Sequence, residues 1–195
     1  GPREPTAATA EDVAKAVDSL SCPKAKVILL LAWYSCARPC DILQLKKHNV
    51  VFDPSNPGQI RIKFQRGKVV GAIGSYHIHT QIADPSDRKT IADFLQRAPE
   101  GFLFPFSTGY QRSKIVAQLR DALRSVRPEY EVRSLRRGSL CTLARAGATE
   151  EELLGFSRHT NVDQLRRYLG WSAVPHAAQR SGMEKARDLS TRADP

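Results

Sequence analysis

The sequence has no apolar run long enough to cross a membrane. Its longest apolar run covers residues 27–33, whereas a transmembrane helix needs about 20 consecutive apolar residues. A secretory signal peptide, with its charged start and apolar centre, is not recognisable either. We therefore expect no membrane partner and an intracellular location, in the nucleus if the source is a eukaryote.

Cysteine is scarce, and the spacing of the cysteines matches no metal-binding or disulfide pattern. The chain contains four cysteines, Cys22, Cys36, Cys40 and Cys141. No two of them form a CxxC pair, and the set does not resemble the disulfide framework of a secreted protein, so we expect reduced thiols. His77 and His79 could share one strand face, but no third and fourth ligand is recognisable. We therefore predict no metal site.

Positive charge, by contrast, is abundant. The 195 residues include 30 Lys and Arg against 20 Asp and Glu, which gives a formal net charge of +10 at pH 7. A hydrophobic content of 41% is enough for a folded domain with a core. A basic surplus of this size in a folded domain favours a polyanionic partner, with nucleic acid first. Composition alone also fits a merely basic, soluble protein.

The hydrophobic pattern predicts a mainly α domain with a small antiparallel β-sheet inserted early. The predicted helices cover residues 11–20, 24–37, 87–98, 110–126 and 131–147, with a weaker one at 175–189. Capping-box spacing indicates two short helices before the last of these. One begins at Thr149 with Glu152, and the other begins at Thr160 with Asp163.

The predicted sheet lies between residues 49 and 80. The stretch "NVVF" is followed by "DPSNPG", a strong turn signal, and "QIRIKF" alternates as a half-buried strand does. The stretch "KVVGAIGSYHIHT" predicts a further strand or pair of strands, with bends at Gly71 and Gly74. Just before the sheet, Pro39 favours a turn or a new helix with Asp41 in its first turn, where an acid suits the helix dipole.

Arginine side chains are the first candidates for chemistry. Arg133 and Arg136 stand three positions apart in "VRSLRRG", so they project about 60° apart on a helix and can address one ligand. The planar fork of arginine suits phosphate oxygens. A solvated basic face would show the same spacing, and for this motif in isolation that alternative stays open.

A histidine and a tyrosine follow in "RHTNVDQLRRYLGW". His159 precedes the predicted cap of a helix, where backbone N–H groups favour an anion. Tyr168 comes nine residues later on that helix. A tyrosine in such a place is more often a core residue with a wet hydroxyl, so neither residue indicates a function by itself.

Taken in order, these residues resemble the catalytic domain of the tyrosine recombinases, the family of phage-type integrases and site-specific recombinases. The stretch "ARPCDILQLKKHNV", with an acid three residues after its arginine, resembles the first arginine box of that family. The stretch "RSLRRGSLCTLARAGATEEELLGFSRHTNVDQLRRYL" resembles the second box, with its His or Trp and its tyrosine. The resemblance covers residues 11–175, and "RHTNVDQLRRYLGW" is particularly similar to the recombinases of eukaryotic, DIRS-like retrotransposons.

The resemblance implies a role for each matching residue. Tyr168 is the expected nucleophile, which would attack a DNA phosphorus and leave a 3′-phosphotyrosyl bond and a free 5′-hydroxyl. Arg38 and Arg136 would bind the non-bridging oxygens and stabilise the charge of the pentacoordinate state. His159 would donate a further hydrogen bond, and Asp41 would orient its neighbours. Because the bond energy is kept in the phosphotyrosine, neither ATP, nor a metal, nor another cofactor is expected.

The lysine of this family lies in the turn between its second and third strands, where it protonates the leaving 5′-oxygen. Lys68 follows "QRG" at that turn and is the first candidate, while Lys63, inside the preceding strand, is the second. Either lysine could instead be a phosphate contact or a solvated surface residue. Lys63, Arg66 and Arg137 are predicted to contact DNA.

One position departs from the family. Arg133 stands where many members have a histidine, and arginine stays protonated, so it cannot be a general base. The proton of the tyrosine would then pass to water, to the phosphate or to His159. We infer that Arg133 is a third phosphate or substrate contact.

The expected organisation is a flexible segment over residues 1–10, a catalytic domain over 11–171 and a C-terminal helix and tail over 172–195. The opening Gly-Pro resembles a scar of tag removal, and we expect the N-terminal DNA-clamp domain of the family to be absent. The tail would pack in cis or onto a neighbouring protomer. The expected partners are double-stranded DNA and, on DNA, further copies of the chain in a synaptic tetramer.

Two alternative functions also fit the sequence. Type IB topoisomerases are similar to the recombinases and use a similar Arg-Lys-Arg-His-Tyr set, although "RHTNVDQLRRYLGW" favours a recombinase. A basic DNA-binding module without catalysis would also fit, because Arg133 is compatible with a degenerate site.

Overall fold

The chain is a series of helices that is interrupted after the third by a small sheet, which confirms the predicted mainly α architecture. The computed structural model describes residues 5–171, 183, 185–189 and 191. The chain divides into two units, Gly1–Arg158 and His159–Pro195, and each is described by itself. None of the described helices is long and apolar enough to cross a membrane.

Helices account for most of the first unit. They are α1 (Ala10–Ser19), α2 (Pro23–Ser35), α3 (Pro39–Ile42), α4 (Lys68–Ile73), α5 (Pro85–Arg97), α6 (Gly109–Val126), α7 (Arg133–Arg145) and α8 (Glu150–Ser157). The predicted capping box of α8 is present. The Thr149 hydroxyl accepts from the Glu152 N–H, and the Glu152 carboxylate accepts from the Thr149 N–H.

Helix α2 is the centre of the core because its stretch from residue 27 to residue 32 is apolar on every side. Every residue from 27 to 32 is buried, and the helix packs against α1, α5, α6 and α7. Burying one aliphatic side chain of this size contributes about 1.5–3 kcal/mol. The helix ends at Cys36, whose left-handed φ of 59° reverses the chain toward α3.

The sheet contains three antiparallel strands in the order β1 (Val50–Phe52), β2 (Gln59–Phe64) and β3 (Tyr76–Gln81). Ile62 of β2 lies opposite Val50 of β1 and Ile78 of β3. All three side chains are buried, so one face of the sheet covers the core. The strands predicted from "NVVF" and "QIRIKF" are therefore confirmed.

The prediction of a strand at the start of "KVVGAIGSYHIHT" is wrong. Residues Lys68–Ile73 form α4, and β3 begins only at Tyr76. The valines of this segment favour a strand by intrinsic propensity, but α4 has no buried residue. No fully buried side chain therefore holds the segment in the sheet, and the positive φ angles of Gly67 (124°) and Gly74 (86°) bend the chain at both ends.

The described part of the second unit contains α9 (Val162–Tyr168) and a short 3₁₀ turn at Ala186–Leu189. The prediction of Thr160 as the N-cap is wrong, because the Asn161 side chain accepts from the Gln164 N–H at 2.9 Å and caps the helix. Asparagine is at least as good a cap as threonine, so the helix starts one residue later. Most of the helix predicted over 175–189 lies outside the described residues.

Candidate active site

Arg38 lies in a short turn between α2 and α3. The hydroxyl of Ser35 donates to the Leu31 carbonyl at 2.6 Å and accepts from the Ala37 N–H at 3.2 Å. Arg38 itself is the extended residue before α3, whose first residue is Pro39. Because proline presets the helical φ at that position, the turn has little conformational freedom and holds the Arg38 backbone in one place.

Arg136 is almost fully buried in α7, with 7% of its surface exposed. Its Nη1 donates to the Cys36 carbonyl at 3.0 Å, and its Nη2 donates to the Ser157 carbonyl at 2.5 Å. Both carbonyls stand at the C-terminal ends of helices, α2 and α8, where the helix dipole is negative. The guanidinium is therefore held by two fixed acceptors, one of which is two residues from Arg38.

Asp41 of α3 is a buried carboxylate in the field of three arginines. Burial raises the pKa of its carboxyl, and the positive charges of Arg38, Arg136 and Arg112 oppose that rise. The structure therefore brings Arg38, Asp41 and Arg136 together, and it adds Arg112 of α6, which sequence reasoning did not include. We call these four residues the arginine cluster.

The segment that carries Lys68 approaches the same carboxylate. Gly67 has a φ of 124°, and a Cβ on it would fall far inside van der Waals contact with Asp41 Oδ1. Lys68 is the next residue, the first of α4, and it is exposed. Lys63 lies inside β2, half-buried and in register with His77. Lys68 therefore directly follows a residue whose backbone lies close to the Asp41 carboxylate.

The other predicted contacts lie on the surface. Arg133, at the start of α7, is exposed and pairs with Glu131 at 2.9 Å. The guanidinium of Arg66 lies over the Phe102 ring, 5.3 Å from its centre. Arg137 is half-buried on α7. All three arginines are at least in part open to solvent.

In the second unit, α9 places Tyr168 beside His159. The centres of the two rings lie 5.2 Å apart, and the ring planes form an angle of 44°. Tyr168 is half-buried, and Arg166 and Arg167 stand in the last turn of the same helix.

Two further residues near the arginine cluster were missed from the sequence. Burial raises the pKa of Tyr76, at the start of β3, and Asp41 raises it further, while Arg136, Arg158 and Arg38 lower it. Tyr76 therefore lies in the field of the same charged groups. The Arg158 guanidinium stands 5.1 Å from the centre of its ring. In the sequence, only the position of Arg158 inside the second arginine box indicates a role for it. No local pattern indicates a role for Tyr76.

The histidines of β3 do not complete a metal site. The ring centres of His77 and His79 lie 6.2 Å apart. Within the described ranges, no group of three or more His, Cys, Asp or Glu side chains could hold a metal ion. The arginine cluster, with three cations around one carboxylate, is instead suited to binding an anion such as a phosphate.

Comparison with known proteins gives matches among solved structures. No protein-family model matches the chain, and no curated protein matches it. XerA recombinase superposes with a TM-score of 0.64 at 15% identity, over 99% of this chain and 66% of the XerA chain. XerH site-specific recombinase, in a post-cleavage complex with palindromic difH substrate, gives a TM-score of 0.63 at 13% identity. That match covers 96% of this chain and 54% of the XerH chain.

The catalytic domain of bacteriophage HP1 integrase matches along its whole length. Its TM-score is 0.60 at 16% identity, and the match covers 98% of this chain and 100% of that domain. The chain therefore has the fold of the tyrosine recombinase catalytic domain. The resemblance noted in the sequence is confirmed at the level of the fold.

Proposed function

We propose that this protein cleaves and rejoins DNA at specific sites through a covalent bond between Tyr168 and a 3′-phosphate. The observation that carries the proposal is the arginine cluster, in which Arg38 and Arg136 lie with Asp41 inside a recombinase fold. The formal net charge of +10 supports DNA as the substrate. The recombinases and the integrase among the similar structures support recombination or integration as the outcome.

In the proposed step, the phenolate oxygen of Tyr168 forms a bond to phosphorus, and the bond from phosphorus to the 5′-oxygen breaks. Lys68 supplies the proton that the leaving 5′-oxygen takes up. Arg38 and Arg136 bind the non-bridging oxygens, where negative charge builds up, and His159 donates a further hydrogen bond to them. Attack by a 5′-hydroxyl reverses the step and rejoins a strand, so no ATP is consumed.

Arg133 takes the place of the histidine that many recombinases have. Its side chain is 62% exposed and pairs with Glu131, so a phosphate can reach it. We assign Arg133 a contact with DNA. The proton of Tyr168 then passes to water, to the phosphate or to His159.

Phosphate contacts make the proposed DNA binding strongly dependent on salt, because each contact releases counterions. Lys63, Arg66 and Arg137 are at least in part open to solvent and available for such contacts. Contacts of this kind orient the protein on DNA but carry no sequence information. Assembly into a synaptic tetramer and an origin in a DIRS-like element remain predictions from the sequence.

A type IB topoisomerase activity is the nearest alternative, and the similar structures do not favour it. Relaxation of supercoiled plasmid without sequence preference would support that alternative. A DNA-binding module without catalysis would bind nicked DNA and form no covalent adduct.

The proposal is tested by trapping the adduct on a pool of nicked duplexes of randomised sequence, from which the short 5′-hydroxyl strand diffuses away after cleavage. With EDTA present, the wild type is expected to give an SDS-resistant adduct, whereas Tyr168→Phe gives none and still binds DNA. Tyr110→Phe is the matched control, because Tyr110 is 76% exposed on α6. An adduct with Tyr168→Phe, or none with the wild type, would contradict the proposal.

A further inference from the structure

We propose that Arg158 is a positioning residue of the candidate site, which anchors the end of the first unit on strand β3. The inference rests on the proposed function, because the effect that it predicts is on DNA cleavage. Arg158 is the last residue of the first unit, and His159 is the next residue in the chain. The contacts that fix Arg158 therefore also fix the point in the chain from which the segment with His159 and Tyr168 continues.

The backbone of Arg158 has a conformation that arginine rarely adopts. As the residue after α8, it has a φ of 56°, in the left-handed region, and its N–H donates to the Leu154 carbonyl at 3.0 Å. Glycine is the usual residue at such a helix end, and this chain has Gly147, with a φ of 98°, shortly after α7. Glycine would avoid this strain, so the contacts of the Arg158 side chain have to compensate for it.

The guanidinium of Arg158 makes two contacts with β3. Its central carbon lies 5.1 Å from the centre of the Tyr76 ring, which is within reach of a cation–π interaction. Its Nη2 donates to the His77 carbonyl at 2.8 Å. Its Nε is buried and has no hydrogen-bond partner in the described part of the chain. The ring contact and the single hydrogen bond are therefore the anchor.

This anchor is joined to the arginine cluster through neighbouring residues. Ser157, directly before Arg158, offers its carbonyl to the buried guanidinium of Arg136. Tyr76, which contacts the Arg158 guanidinium, also stacks on Phe64 with ring centres 5.1 Å apart. Two consecutive residues at the end of the first unit, Ser157 and Arg158, are thus tied to α7 and to the sheet through arginine contacts.

Arg158→Gly tests the inference, because glycine relieves the backbone strain while it removes the anchor. The thermal midpoint is expected to stay within about 3 °C of the wild type, since relief of strain offsets the lost contacts. The single-turnover rate of adduct formation is expected to fall by about 10-fold to 100-fold, the loss typical of a misplaced catalytic group. The dissociation constant for DNA is expected to change by less than about threefold, because the guanidinium faces β3 and not a phosphate.

Three further variants separate positioning from a general loss of charge. Arg158→Lys keeps the charge without the planar fork, so it is expected to restore part of the rate. Arg120→Ala removes another arginine, which is partly exposed on α6, and should cleave like the wild type. Tyr76→Leu removes the ring, and the double variant Tyr76→Leu/Arg158→Gly should cleave no more slowly than the slower single variant.

Each outcome decides between the proposals. Cleavage by Arg158→Gly at the wild-type rate overturns the inference about Arg158 and leaves the proposed function intact. An equal loss of DNA affinity and of rate in Arg158→Gly also overturns the inference, because that pattern indicates a DNA contact. Absence of an adduct with the wild type overturns the proposed function, and the inference about Arg158 with it.

Discussion

The turn that carries Arg38 and the segment that carries Lys68 both lie next to Asp41, yet the protein holds them in different ways. The Arg38 turn is built largely from buried residues, and its Cys36 carbonyl accepts a hydrogen bond from Arg136. The helix Lys68–Ile73, in contrast, has no buried residue. The close approach of this segment to Asp41 is made by Gly67, the residue directly before the helix.

This difference suits the two tasks in the proposed reaction. Donors that bind phosphate oxygens act best when they are already fixed where negative charge will build up. A proton donor has to meet the leaving oxygen and give up its proton, and an exposed short helix leaves room for that movement. Substitutions on the arginine side should therefore lower both stability and activity, and those on the lysine side should lower mainly activity.

Arg136→Ala is expected to cause the largest loss of stability. The change removes a charged hydrogen-bond donor from the carbonyls of Cys36 and Ser157, and each such loss costs about 1–3 kcal/mol. Adduct formation should fall by about 10²-fold to 10³-fold or more, because a donor to the developing charge is lost. Urea unfolding and single-turnover cleavage measure the two effects.

Arg133→Ala is the matched control for Arg136→Ala. Arg133 lies on the same helix, but it pairs with Glu131 at the surface. Exposed pairs contribute about 0–1 kcal/mol, so the free energy of unfolding should stay close to that of the wild type. Equal losses of stability in the two variants would contradict the description of Arg136 as a buried, fixed donor.

Gly138→Ala should cause the next largest loss of stability. A Cβ at this position of α7 would collide with the backbone of Ala8, whose N–H donates to the Ser134 carbonyl at 3.0 Å. Overpacking of this kind costs about 1–3 kcal/mol. Gly155→Ala is the control, because nothing lies near that position of α8, and it should stabilise the protein by about 0.5–1 kcal/mol. The same urea midpoint for both variants would show that α7 is not held tightly at Gly138.

Gly67→Ala and Gly74→Ala compare the two ends of α4. Both glycines have a positive φ with ψ near 180°, a region that essentially only glycine adopts, so alanine should cost about 1–3 kcal/mol at either position. Only the Cβ at Gly67 would displace the Asp41 carboxylate, since the space around Gly74 is open. Gly67→Ala should slow cleavage by about 10-fold to 100-fold, and Gly74→Ala should cleave nearly like the wild type. Equal cleavage rates would mean that the lysine segment and Asp41 are not linked.

Lys68→Ala should change stability least, by less than about 0.5 kcal/mol, because the residue is exposed. Loss of a general acid should nevertheless slow cleavage by about 10²-fold to 10⁴-fold. A substrate with sulfur at the 5′-bridging position should restore the rate, because a thiolate leaves without a proton. Lys63→Ala is the control. If the sulfur substrate restored the cleavage rate of Lys63→Ala and not that of Lys68→Ala, the general acid would be Lys63 of β2.

Local chemistry explains what could be predicted from the sequence. The apolar run at 27–33 predicted a buried helix, and the spacing of Thr149 and Glu152 predicted a cap. In both cases residues within about two helical turns decide the outcome. Asn161 shows the limit of such signals, because two good capping residues stand side by side and the sequence alone does not choose between them.

What could not be predicted depends on residues far apart in the chain. The segment Lys68–Ile73 has the composition of a strand, but pairing and burial decide whether a strand forms, and this segment has neither. The hydrogen bond from Arg158 to the His77 carbonyl spans 81 positions, and that from Arg136 to Cys36 spans 100. The family resemblance put candidate residues in order, but no local pattern indicates which distant carbonyl or ring each arginine contacts.

The central claim, that Tyr168 carries the DNA during the reaction, is tested most directly by finding the amino acid of the adduct. Tyr168 follows Arg167 and begins a tryptic peptide that ends at Arg180. After reaction with nicked DNA and digestion with nuclease and trypsin, mass spectrometry should find a nucleotide on that peptide, linked from its 3′-phosphate to Tyr168. A nucleotide on any other residue, or one linked through its 5′-phosphate, would contradict the claim.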